Sequence, residues 1–385
     1  MKVAIWANSP SPHQADFYAA LRDDGVDLRV SYFGQLRTAR RDMGWRQADE
    51  LPPGEQMLPP GDDPLTCVPD WRERVHVIPG YSRRVNWQLA RRLSRTGVPW
   101  VHWSENSQPS WRSPLSWMVK LAWARRINRY ALGAFAQGHA AERDFVRWGI
   151  RRERIAHLFY AVHGVAADAE PDLQTAAFVA GRTAFVYVGT INRNKATNVL
   201  VRAFALAAAQ DPSACLVLVG DGPRRSACQR LTARLGVPDR VLFRGVAPHD
   251  AVGSILKCCR VAVLPSRYDG WGVALNEAAS AGLALVATDR VGAALHLIEP
   301  GRNGFRVRAG SRASLATALR AYVNDPSLAA EHGRRSLCLF EDFKPHRNVE
   351  RFTAAVRTWL AADPRWSSWH GEWKLSPASR VSAAA

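Results

Sequence analysis

Phe185-Val186-Tyr187-Val188, the helical run Val199 to Ala208, and Leu216-Val217-Leu218-Val219 stopping at Gly220-Asp221-Gly222 decide the fold. Two short continuous apolar runs joined by a helix make a strand-helix-strand unit, the building block of a parallel sheet covered on both faces. Val241-Leu242-Phe243, Val261-Ala262-Val263-Leu264 and Ala284-Leu285-Val286-Ala287 repeat the pattern, each followed by a polar or glycine-rich turn. Working outward toward the N-terminus, Lys2 to Trp6 reads as a strand. The loop Asn8 to Gln14 and a helix through Phe17, Tyr18 and Leu21 follow, then a strand over Val26 to Phe33. After the proline-punctuated excursion 50–75, the spacing predicts a strand at Val75 to Ile78, a helix around Trp87 to Leu93 and a strand at Trp100 to Trp103. Both halves are therefore expected to be doubly wound α/β domains, with the polar stretch Asp168 to Thr175 as the linker.

Composition agrees with a folded chain. Its 385 residues are 47% hydrophobic and 22% charged, which excludes a disulfide-stapled miniature and wholesale disorder and gives two or three domains. No uncharged apolar run reaches the roughly 18 to 20 residues that a membrane-crossing helix needs. The opening Met1-Lys2-Val3-Ala4-Ile5-Trp6 lacks a signal-peptide pattern, so a cytoplasmic location is expected. The six cysteines show no Cys-x-x-Cys pair and no His spacing suited to zinc, and read as reduced thiols.

Charge is the abnormal feature. Fifty-two bases against 34 acids leave +18, which implies an anionic partner: nucleic acid, anionic lipid or a phosphorylated small molecule. The 15 tryptophans favour a membrane interface or a sugar face. Ser116 to Tyr130 has helical spacing, bulky apolar residues and a basic end, and fits either an interfacial helix or one packed on the N-terminal sheet with a solvated arginine rim. The tail after Pro364, with Trp366, Trp369 and Trp373, is too short for a domain and is expected to dock on the body or remain partly ordered.

The chemistry concentrates in Leu264-Pro265-Ser266-Arg267-Tyr268-Asp269-Gly270-Trp271-Gly272-Val273-Ala274-Leu275-Asn276-Glu277. A strand ends at Leu264, a glycine-bearing loop follows, and a helix starts near Gly272 or Val273, where unpaired amides suit a phosphate. Asp269 and Glu277 can flank one ligand, and a carboxylate accepts from two neighbouring hydroxyls, as a polyol or ribose presents them. Asp221-Gly222-Pro223 and Asn303-Gly304 read as turns whatever they bind.

This segment resembles the donor-site signature of GT-B glycosyltransferases of the large retaining family 4. The likeness runs over Val186 to Gly304: Tyr187 to Lys195, Val219 to Pro223, Val241 to Gly245, the acid pair, and Pro300 to Gly304. It implies two Rossmann-like domains facing each other across a cleft. Residues 1–170 would bind acceptor and 171–345 nucleotide sugar, with a C-terminal helix and tail over 346–385 crossing back. On that resemblance Lys195 binds the donor diphosphate, Glu277 the ribose, and Asp269 the transferred sugar, while the backbone from Gly270 through Trp271, Gly272 and Val273 to Ala274 holds sugar and phosphate. Gly189, Thr190, Gly220 and Arg244 complete the donor set, the base being read near Arg244 to Val246. Two departures stand out: Thr190 replaces a common arginine, leaving Arg193 as candidate second phosphate cation, and Asp269 is a methylene shorter than the usual glutamate.

The implied co-substrate is a UDP- or GDP-linked sugar, with no other cofactor and no metal. Lysine and helix start stabilise the charge of the departing diphosphate, and a phosphate oxygen takes the acceptor's proton. In the N-terminal half Asn8, Ser9, His13 and Asn106 are expected to meet acceptor, with His13 and Glu105 as catalytic candidates beside Asp269 and Lys195. His13 could equally cap a helix. His102, beside Ser104, could be a satisfied core histidine, and His139 is a weaker candidate. An epimerase acting on a nucleotide sugar shares the layout. A nucleic-acid binder would use the charge, but the arginines are spread and no nucleic-acid module stands out. The excess charge is assigned to a glycan or lipid-linked acceptor, or to the anionic membrane surface carrying it.

Overall fold

The computed structural model describes residues 1–35, 51–59, 61, 63–107, 114–166, 169–209, 211–366 and 369. They form two compact units, one of residues up to Ala161 joined by those from Pro345 onward, the other of Val162–Lys344.

In the first unit seven strands, β1 (Lys2–Ala7), β2 (Asp27–Tyr32), β3 (Glu55–Met57), β4 (Val75–Pro79), β5 (Trp100–Ser104), β6 (Gly133–Ala136) and β7 (Ile155–His157), pair in parallel in the order β3-β2-β1-β4-β5-β6-β7. Its helices are α1 (Pro12–Asp23), α2 (Arg84–Thr96), α3 (Pro114–Tyr130) and α4 (Gly138–Trp148). Pro12 supplies the fixed φ of a first helical residue, and Gly97 and Gly149 close α2 and α4 in the left-handed conformation. Both sheet faces are covered. On β1, Val3, Ile5 and Ala7 join one core layer with Phe17 and Leu21 of α1, while Trp6 joins the opposite layer with Leu89, Trp123 and Phe145 from α2, α3 and α4. That alternation along a single strand is the two-residue period of a pleated chain.

The second unit has six parallel strands, β8 (Thr183–Val188), β9 (Ala214–Val219), β10 (Val241–Gly245), β11 (Val261–Leu264), β12 (Ala284–Thr288) and β13 (Gly304–Val307), in the order β10-β9-β8-β11-β12-β13. The helices are α5 (Leu173–Val179), α6 (Thr197–Ala207), α7 (Arg225–Arg234), α8 (Val252–Lys257), α9 (Ala274–Ser280), α10 (Ala294–Leu297), α11 (Arg312–Asn324) and α12 (Ser327–Phe340). After it, α13 (Pro345–Ala362) returns to the first unit, where Val349, Phe352, Val356 and Trp359 complete the layer begun by α1. Phe352 lies 6.1 Å from Phe17 and 5.3 Å from Phe135, ring centre to ring centre.

The unit boundary falls at 161/162 rather than 170/171. Val165 donates its amide to Ser280 Oγ at 3.1 Å, and the Asp172 amide reaches Ser254 O at 3.4 Å. Asp172 also caps α5, so Asp172 to Thr175 begins a helix instead of linking domains. Asp168 lies outside the described residues. The excursion 50–75 contains the edge strand β3 and two 3-10 turns, Pro64–Cys67 and Trp71–Glu73, while Glu50, Pro60 and Asp62 lie outside the described residues. Strands β3, β6, β7 and β13, each three or four residues long, have no counterpart in the sequence reading.

Most tryptophans build the core. Trp6, Trp100, Trp123, Trp148 and Trp271 are fully buried. Trp366 packs beneath α13's layer and Trp369 donates its indole N–H to Arg72 O at 3.1 Å, which docks the tail on the first unit; Trp373 lies outside the described residues. Helix α3 divides: Trp123, Ala124 and Ile127 are buried, whereas Leu115, Trp117, Met118 and Val119 in its first turns are exposed. No described helix is long and apolar enough to cross a membrane.

Candidate active site

In the second unit the strand order reverses between β8 and β11, the neighbouring pair from which the sheet grows in opposite directions. Loops leaving the carboxyl ends of two such strands diverge and open a crevice, where ligands of open α/β sheets bind. The loop after β8 carries Lys195 and the loop after β11 carries Asp269. Their side chains meet there, Lys195 Nζ to Asp269 Oδ2 at 2.5 Å, both largely but not wholly buried.

The backbone holds this pair in place. Asn192 Oδ1 accepts the Lys195 amide at 2.8 Å, and Ala196, the one described non-glycine residue with positive φ (52°), turns the chain into α6. Asn194 ties the two loops together: its side-chain amide donates to Tyr268 O at 2.8 Å and its carbonyl accepts from the Arg267 amide at 2.7 Å. Beneath them the buried Tyr187 hydroxyl donates to Thr190 O at 2.8 Å. Asp269 is pinned from the other side, its amide donating to Arg290 O at 2.9 Å and its carbonyl accepting from Gly292 at 3.2 Å. Glycine is required twice. Gly220 has φ +123°, and a Cβ there would lie 2.2 Å from Gly189 O; at Gly272, φ +91°, a Cβ would meet Val291 at 2.7 Å and Leu264 at 2.9 Å.

Glu277 sits in the first turn of α9, with Oε1 3.5 Å from His249 Nδ1. The helix starts at Ala274, slightly later than its sequence suggests. Because the amides of Leu275, Asn276 and Glu277 already bond Gly272 and Val273 carbonyls, any amide contribution to a ligand comes from Gly270 to Ala274. Trp271 can contribute only backbone. Its indole is buried, donates to Asn276 Oδ1 at 2.9 Å and packs on His296 and Phe343.

Arg244, expected in the donor set, is paired. Its guanidinium forks onto Asp172 at 3.0 and 2.8 Å, a bidentate pair that also lowers the Asp172 pKa and anchors the start of α5. Gly189 and Gly220 close the ends of β8 and β9 by amide bonds to Val219 O and Gly245 O, and Thr190 follows Gly189. Arg193 is exposed beside Lys195. His249, next to Glu277, was not singled out from sequence: a lone histidine in a turn carries no spacing signal.

The model of the family described as glycosyl transferases group 1 matches residues 169–336. That stretch is 168 of the 385 residues, and within it the chain resembles the group 1 glycosyltransferases. The match covers the unit that holds Lys195, Asp269 and Glu277 and leaves the first unit outside. Among relatives, the D-inositol 3-phosphate glycosyltransferase of Streptomyces avermitilis is 27% identical over 317 residues, 75% of this chain and 67% of that protein. The lipopolysaccharide core biosynthesis mannosyltransferase LpcC of Rhizobium leguminosarum bv. viciae is 27% identical over 327 residues, 70% of this chain and 92% of that protein. Other alignments, such as that with the alpha-D-kanosaminyltransferase of Streptomyces kanamyceticus at 29% identity, span 46% of this chain and 47% of the relative. Among solved structures, Anabaena Alr3699/HepE in complex with UDP superposes with TM-score 0.75 at 17% identity, over 93% of this chain and all of that one. This likeness establishes the GT-B fold for the chain.

In the first unit Asn8 and Ser9 follow β1 and Glu105 and Asn106 follow β5, all at the carboxyl edge of their sheet. His13, read from sequence as a loop residue, lies inside the first turn of α1, which begins already at Pro12, with its ring 6.3 Å from Tyr160. His102 is a core residue. Trp123 Nε1 donates to its Nδ1 at 3.3 Å, Ser104 Oγ lies 2.9 Å from its Nε2, and burial pushes its pKa down to about 3. His76 repeats the arrangement, accepting from Trp6 Nε1 at 3.1 Å and donating to Trp71 O at 2.7 Å, with its pKa pushed by burial to about 4.

Proposed function

We propose that the chain is a retaining glycosyltransferase that moves a hexose from a UDP- or GDP-linked sugar to a hydroxyl of a lipid-linked or polysaccharide intermediate in cell-surface glycan synthesis. The single observation that carries this reading is the Lys195–Asp269 pair at the reversal point of the second sheet, with Glu277 in the helix that follows. In the free protein the carboxylate holds the ammonium in position. An arriving diphosphate supplies a competing anion, releasing Asp269 to accept from sugar hydroxyls while Lys195 stabilises the charge that grows on the leaving group. Glu277 accepts from the ribose. The acceptor's proton passes to a donor phosphate oxygen, so no protein nucleophile and no metal are needed for the transfer, and Glu105 or His13 would orient the acceptor.

Relatives named for lipopolysaccharide core and inositol phosphate acceptors support an anionic or lipid-linked acceptor. HepE was solved with UDP and with UDP-glucose, which supports a uracil nucleotide as first choice. The exposed Leu115, Trp117 and Met118 of α3 and the +18 charge fit work at the inner face of the cytoplasmic membrane. The test is thermal denaturation with UDP, GDP and ADP. A bound nucleotide at about 100 times its Kd raises stability by about 2.7 kcal/mol. Glu277→Ala should abolish that shift, and an undiminished shift in the variant refutes the ribose contact. Incubation with donor alone separates transfer from epimerisation, since only an epimerase converts the sugar without acceptor.

A further inference from the structure

We infer that His139, Glu142 and His157 form a binding site for a divalent transition-metal ion of the zinc class, at the carboxyl edge of the first unit's sheet. His139 and Glu142 stand three residues apart on α4 and so share one face of its first turns. His157 is the last residue of β7, which lies beside β6, the strand that feeds α4. The crossover thus brings a third ligand onto a helix that carries two. His139 Nδ1 lies 3.2 Å and His157 Nε2 3.0 Å from the same oxygen, Glu142 Oε2, and the three ligand atoms lie within 4.8 Å of one another. A tetrahedral ion with bonds of about 2.0–2.2 Å separates its ligand atoms by about 3.3 Å, so two edges are already near length and only the histidine–histidine edge must close.

The donor set selects the ion. Two imidazoles and one carboxylate suit zinc and its neighbours rather than calcium or magnesium, and three protein ligands leave a fourth position for water or an anion. The surroundings hold the ligands ready. The two imidazole rings stand edge to face at 4.8 Å, Phe159 packs on His157, and Arg152 Nη1 holds the second oxygen of Glu142 at 3.3 Å. Burial shifts the His157 pKa downward. The cations facing the cluster are Arg152, which is largely exposed and can swing away, and Arg351. Among the described residues no other group of His, Cys, Asp and Glu side chains has this geometry.

The experiment is zinc titration of the full chain after chelator treatment, read by calorimetry and by the retained metal after dialysis. Wild type should take up zinc, His139→Ala and His157→Ala should each retain one equivalent fewer, and Glu142→Gln should bind at least tenfold more weakly. Cobalt in place of zinc should give visible absorption bands that both histidine variants lack. Melting of each variant in chelator, compared with wild type in chelator, shows that the loss is not unfolding. Full zinc retention by both histidine variants, or no uptake by the wild-type chain, overturns the site whatever the fate of the glycosyltransferase reading.

Discussion

The two sheets solve one packing problem with different materials. The second unit fills its strands with small aliphatic residues and lets glycine loops press backbone on backbone, as where Gly220 meets Gly189. The first unit uses large aromatic residues and polar groups satisfied inside the core: Trp6 with His76, Trp123 with His102, and the fully buried Arg74 held by Asp70 and Asp27. A backbone-built site tolerates few residue types at each position and leaves a readable trace. A side-chain-built core can be assembled in many ways and leaves little.

The sharpest test of this contrast is Lys195→Ala. Removing a charge that acts on the leaving group should cost about 2.7–4 kcal/mol of transition-state stabilisation, a loss of roughly 10²–10³ in turnover. Glu105→Gln in the first unit should cost less, and a larger effect there would move the chemistry across units. Next comes Gly220→Ala. It forces a Cβ onto a carbonyl at positive φ, and a strained backbone position of this kind costs about 1–3 kcal/mol, read as a lower Tm with weakened nucleotide shift.

Acid should strike the first unit harder. His76 and His102 have folded pKa values of about 4 and about 3, below their unfolded value, so the stability they contribute is complete above about pH 6.5 and is lost as pH falls toward those values. Each can contribute a slope of about 1.4 kcal/mol per pH unit over that interval. His157 shifts in the same direction, as does His332 in the second unit. Melting followed from pH 7 to 4 should be flatter in the double variant His76→Gln, His102→Gln, and an identical pH slope would contradict the buried neutral assignment. The smallest effect is expected at α3. Anionic vesicles at low salt should retain the wild-type chain, and Leu115→Ser with Met118→Ser should reduce retention a few-fold; equal recovery on neutral vesicles removes the membrane explanation.

Both doubly wound sheets were legible because buried parallel strands are continuous apolar runs. Short edge strands such as β7, Ile155-Ala156-His157, carry too few residues to show a period. The loops that bring Lys195 to Asp269 were legible because loop glycines and charged residues fall at fixed spacing after strands. The pairing of Arg244 was not legible because sequence cannot show that Asp172, 72 residues away, meets it. The His139–Glu142–His157 cluster escaped for the same reason: His157 reaches the other two only through the β6–α4–β7 crossover.

The return of α13 has a consequence for how the chain is made. When Ala161 leaves the ribosome, the layer that Phe17 and Phe135 begin still lacks Phe352 and Trp359. At 5–20 residues per second the 184 positions from 161 to 345 take roughly 10–40 s, and throughout that interval the layer stays unfinished. Nascent chains stalled before residue 345 should therefore expose a greasy wall that chaperones bind, and the molecule's earliest-made half is its last to be finished.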